Sequence, residues 1–98
     1  MLLGKAHKLL EKGLYSEALA RALKAKNLKL TEQFQWLCYS IEGKARYHLG
    51  DTENALPALK QALRILESRP DNEKALRSLQ NIISEITGYI EKIESPGD

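Results

Sequence analysis

A single cysteine, three prolines and six aromatic residues in 98 positions exclude several architectures at once. Cys38 has no partner for an internal disulfide, which leaves a reducing compartment compatible with the chain. No stretch reaches the ~18 consecutive apolar residues of a membrane span. The start, Met1-Leu2-Leu3-Gly4 followed by Lys5 and Lys8, has neither the apolar core nor the cleavage pattern of a signal peptide. The expectation is a soluble, cytoplasmic protein, or a domain cut from one. The glycines stand apart from one another, so no phosphate-cradling loop is present. Val and Thr are scarce, which argues against strands.

What is abundant is Ala and Leu, both strong helix formers. Apolar residues make up 43% and charged residues 29%, an ordinary balance for one globular domain able to bury a core without disulfides or metal. Charge is unevenly spread. Residues 1–30 hold seven Lys/Arg against two Glu, residues 31–70 five of each sign, and residues 71–98 three basic against six acidic groups.

Hydrophobic spacing divides the chain into helices. Leu2, Leu3, Ala6, Leu9 and Leu10 share one face of a helix running to about Lys12, where Gly13 ends it. Ala18, Leu19, Ala22, Leu23 and Ala25 form the stripe of a second. Thr31 is a suitable N-cap for a third, which carries two apolar stripes. Phe34, Leu37, Cys38, Ile41, Ala45 and Leu49 make one, and Trp36, Tyr39, Gly43 and Tyr47 the other. A helix apolar on two sides is expected to lie between neighbours. Gly50 ends it, Asp51 or Thr52 caps the next, and Ala55, Leu56, Leu59, Ala62, Leu63 and Leu66 point inward. Pro57 predicts a weakened start to that helix near 52–54. After the break at Pro70, a cap at Asp71 or Asn72 opens a last helix. Gly88, 38 residues after Gly50, could open a third turn, but the stripe from Ala75 to Ile93 passes through it without a shift and no N-cap residue follows, which favours one long helix, then a frayed tail over 95–98.

Around the turns the order of small residues resembles the tetratricopeptide repeat. Gly43, Gly50, Ala55 and Ala62 occupy its small and turn positions, and Ala45, Leu49 and Leu63 also suit the pattern. Ala6, Gly13, Tyr15, Ala18 and Ala25 do the same in the first unit. Glu42 and Arg46 stand where the repeat usually has Leu and an aromatic, and its closing Pro is delayed to Pro70. The resemblance implies an all-α domain of about five helices. Antiparallel hairpins over 1–30 and 31–69 would stack as a short right-handed α-solenoid, and a long helix over 71–94 would close it.

Catalysis is not expected. Cys38 falls on a buried stripe, and His48 lies ten residues along the same helix, about 15 Å away; it cannot activate the thiol. Two His and one Cys at these spacings match no metal-ligand pattern, and no cofactor motif is present. The resemblance instead implies a scaffold or adaptor that holds a peptide or partner helix in a concave groove. Carried over position by position, the groove residues are His7 and Glu11 in the first unit and Ser40, Lys44, Tyr47 and His48 in the second. The closing helix would add Lys74, Arg77 and Asn81. Two other readings stand beside this one. Arg21, Lys24, Lys26 and Lys29, with Lys5, Lys8 and Lys12, could meet nucleic-acid phosphates, against which stand the absence of interleaved aromatics and a sequence pI of only 8.7. Alternatively, the Ile face of the last helix could pair two copies as a homodimer.

Overall fold

A computed structural model describes residues 2–28, 32–68 and 73–95, with side chains described over 4–28, 34–68 and 80–95. The fold is all-α: α1 (Leu2–Glu11), α2 (Tyr15–Lys26), α3 (Glu32–His48), α4 (Thr52–Glu67) and α5 (Glu73–Glu94). No strand occurs among the described residues. Helix α5 is continuous through Gly88, as the unbroken Ile stripe predicts. The expected caps Thr31, Asp71 and Asn72, and the tail beyond Ser95, lie outside the described residues.

The two helical hairpins turn in the same way, 37 residues apart. Gly13 and Gly50 have φ of +82° and +87°, a region that costs a glycine little and any β-carbon much more. In the first turn the Gly13 N–H donates to the Leu10 carbonyl at 3.1 Å and the Leu14 N–H to Leu9 at 2.9 Å. In the second, Gly50 donates to Tyr47 at 3.0 Å and Asp51 to Arg46 at 2.8 Å. Both are the paired bonds of a Schellman C-terminus, which satisfy carbonyls the helix leaves open. The next residue repeats as well: Leu14 has φ −89° and ψ 67°, Asp51 φ −90° and ψ 67°.

That shared geometry corrects the expected capping. Asp51 is the N-cap of α4 by position, but its carboxylate makes no capping bond, and Thr52 is already inside the helix. At ψ 67° the backbone is outside the extended region from which an N-cap side chain reaches the next N–H groups. The carboxylate instead accepts from Asn54 Nδ2 at 3.0 Å and from the Arg46 guanidinium at 3.1 Å. The Asn54 bond, with help from Arg46, holds the Asp51 carboxyl below its usual value. Pro57 does not weaken the start of α4, which is helical from Thr52 with a 3.0 Å bond from Ala55 N–H to the Asp51 carbonyl. Pro57 lacks the N–H that would bond the Glu53 carbonyl, and both residues are exposed. Leu49 departs from its predicted stripe: α3 ends at His48, and Leu49 lies in the turn, 45% exposed.

Helix α3 is covered on two sides, as its double stripe predicts. Cys38, Ile41 and Ala45 join Ala6, Ala18, Ala22 and Ala25 in one buried cluster, with Phe34 and Leu37 packed against it. Trp36, Tyr39 and Tyr47 pack against the other, built from Ala55, Leu59, Ala62 and Leu66 of α4 and Ile86 and Ile90 of α5. Small residues set the spacing. A β-carbon at Gly43 would sit 2.5 Å from Leu59 Cγ and 3.2 Å from the Ala55 carbonyl, so α3 and α4 touch there backbone to side chain.

A charged network threads the same layer. Glu42 is buried, its side chain 7% exposed; Oε1 accepts from Lys26 Nζ at 3.2 Å and Oε2 from Arg46 Nε at 3.1 Å. Arg46 continues to Asp51, so four alternating charges join α2, α3 and the second turn. Lys26 also lies over the Tyr39 ring, 5.2 Å from its centroid. Glu42 and Arg46, which stand where the resembled repeat usually has Leu and an aromatic, therefore bond to each other.

Candidate binding groove

Helices α1, α3 and α5 enclose an open groove of about 460 Å³. Its floor is apolar: Leu10 of α1, Leu37 and Ile41 of α3, and Ile82 of α5. Helical spacing explains the lining. Leu37, Ile41 and Lys44 recur every three or four residues on α3, and Ile82 and Glu85 are three apart on α5. Gly4 and His7 form the α1 rim, and a β-carbon at Gly4 would meet nothing within 4 Å.

Polar groups line the walls. Ser40 is buried, Lys44 is bonded to Glu85, and His7 Nε2 lies 2.6 Å from Glu11 Oε1. The Lys44 side chain is only 10% exposed, whereas that of Glu85 is 54% exposed. The Trp36 indole Nε1 is buried and has no hydrogen-bond partner among the described residues.

The residues predicted from the sequence divide into three groups. His7 and Lys44 line the groove, with Ser40 beside them. Tyr47 and His48 do not; they belong to an aromatic cluster beyond it. There His48 stacks on Tyr15 with ring centroids 4.3 Å apart, and its Nε2 lies 3.0 Å from the Tyr89 hydroxyl. Tyr47 meets Tyr89 edge-on at 5.2 Å. Asn81 is exposed on α5 and is not part of the groove lining. Lys74 and Arg77 fall in α5, but their side chains lie outside the described residues.

Sequence reasoning missed the partners of these side chains. Lys44–Glu85 and His48–Tyr89 are each separated by 41 residues, and the constant offset shows that α3 and α5 run parallel. No local spacing announces such pairs. Burial, followed by the nearby Glu85 carboxylate and the Tyr15 and Tyr47 hydroxyls, raises the Tyr89 phenol above its usual value. Cys38 is where its stripe placed it: buried, with the thiol donating to the Ala22 carbonyl at 3.1 Å. Desolvation, then the Glu42 carboxylate, pushes its pKa up despite Lys26 nearby. Protonated and covered, it has the character of a packing residue.

No protein-family profile, curated protein or solved structure matches the chain.

Proposed function

We propose that the chain is a tetratricopeptide-type helical repeat domain, a short right-handed α-solenoid of two hairpins and a closing helix. It acts as a protein-interaction module without enzymatic activity of its own. The groove between α1, α3 and α5 is its binding site, and the partner presents a peptide segment or a helix.

The observation that carries this reading is the groove itself: an apolar floor bounded by three helices, with Ser40, Lys44, Glu85 and His7 in its lining. Polar groups placed at the edge of an apolar concavity are the usual composition of a recognition site. The repeat assignment is supported by the two matched turns, by the parallel course of α3 and α5, and by a body of 35 × 35 × 21 Å. Its thin dimension is about two helix diameters.

Plugging the groove tests this. Gly4→Trp places an indole in open space on the rim, and His7→Glu adds a carboxylate beside it; both residues are exposed. Wild type and the double variant are used to capture partners from a native extract after circular dichroism establishes equal helicity. A protein retained by wild type and by Lys60→Glu on α4, but lost with the plugged groove, is the expected result. Identical partners for all three proteins would overturn the assignment.

A further inference from the structure

The described cations fall into two sets. Every one from residue 26 onward has a partner: Lys26 and Arg46 on Glu42, Lys44 on Glu85, Lys60 on Glu94, Arg64 on Gln61, and Lys92 over Tyr89. Every one before it, namely Lys5, Lys8, Lys12, Arg21 and Lys24, is exposed and makes no ion pair, hydrogen bond or ring contact. The division follows the fold, because the unpaired set lies wholly on the α1–α2 hairpin.

Placement within the hairpin is regular. Lys5 and Lys8 of α1 are three residues apart, and Lys12 follows four residues later in the turn after it. Arg21 and Lys24 are neighbours on α2 and line a shallow depression of about 400 Å³ with Glu17 and Ala20. The hairpin has two acids, Glu11 beside His7 and Glu17, against five free cations. Unpaired like charges on one small hairpin repel one another, and a polyanion relieves that repulsion.

We infer that the exposed, unpaired cations of the α1–α2 hairpin bind nucleic acid through its phosphates, without sequence preference. An acidic protein is the poorer fit, since protein interfaces need buried apolar anchors. The hairpin's exposed large apolar side chains, Leu14 and Leu28, lie beyond the ends of α2 rather than between the cations. Phosphate binding needs no such anchor, because its driving force is counterion release. Bases are not read: no aromatic side chain stands among the five cations, and Tyr15 is stacked on His48.

The test is fluorescence polarisation with a labelled single-stranded oligonucleotide across a salt series. Five phosphate contacts predict a loss of about 100-fold in affinity for a fourfold rise in salt. Changing Lys5, Lys8, Lys12, Arg21 and Lys24 together to Gln abolishes binding, whereas Lys60→Gln/Lys92→Gln leaves it intact. Glu17→Gln tightens it. Gly4→Trp, which plugs the groove, has no effect, so this proposal and the groove proposal fail separately. Absence of binding at low salt, retention of affinity by the five-fold variant, or equal affinity for polyglutamate would each overturn the inference.

Discussion

Gly43 and Gly88 are both helical glycines, and their surroundings give them opposite roles. At Gly43 a methyl group would press on Leu59, which is fully buried and cannot swing aside, and on the Ala55 carbonyl. Overpacking of this kind costs about 1–3 kcal/mol, against a helix-propensity gain of about 1 kcal/mol. At Gly88 nothing lies within 4 Å of the added carbon, so only the gain remains. Gly43→Ala is therefore expected to lower the urea midpoint and Gly88→Ala to raise it; a midpoint raised by both would contradict the close approach of α3 and α4. The role of Gly43 was legible in the sequence because a glycine between Tyr39 and Tyr47 on an apolar stripe has few other uses. At Gly88 the stripe favoured an unbroken helix, but the open space around it was not legible.

Cys38 and Tyr89 give the residue scale a second test, in pH. Both are acids whose native pKa is raised, so the unfolded chain loses these protons first. Their contribution to stability is complete below the ordinary values, 9.0 for the thiol and 10.0 for the phenol, and is lost as pH rises through the native ones. Urea titrations at a series of alkaline pH values are expected to show stability falling above about pH 9, less steeply in Cys38→Ala. A slope that Cys38→Ala leaves unchanged would mean that the thiol ionises alike in both states.

Between elements, the charged network on Glu42 does what apolar packing does elsewhere. It ties the end of α2 and the second turn to the middle of α3. Removing one member leaves the Arg46 guanidinium largely buried and short of a partner. Glu42→Ala is expected to cost about 2–4 kcal/mol, while Glu42→Leu/Arg46→Leu returns to within about 1 kcal/mol of wild type. Chemical denaturation of the single and double variants decides this, and equal losses in both would show that the charges themselves are not coupled. The sequence could not announce the network. A Glu and an Arg four residues apart look like an ordinary exposed pair, and only the packing of α2 across α3 buries them. The same limit explains Leu49, whose predicted stripe was cut short by a helix that ended one residue earlier at His48. It also explains the aromatic cluster, whose members come from α2, α3 and α5.

Across the whole molecule, two surfaces of different character emerge. The groove of α1, α3 and α5 has an apolar floor, and Lys44, Glu85 and His7 in its lining already hold partners. The α1–α2 hairpin carries five exposed cations without partners. Half of the groove was legible, because His7, Ser40 and Lys44 follow from their positions on two helices. The contribution of α5 was not, since Ile82 and Glu85 reach the groove only through the parallel docking of α5 beside α3. Trp36, the chain's one tryptophan, lines that groove and reports on its occupancy. The most direct measurement is therefore a titration of the captured partner into wild type and into Gly4→Trp/His7→Glu, each followed by calorimetry, with Trp36 fluorescence recorded for the wild type. Saturable binding that shifts the Trp36 emission of wild type, and is at least tenfold weaker in the variant, is the predicted result. Equal affinity for both proteins, or full binding with Trp36 emission unmoved, would contradict the groove as the site of function.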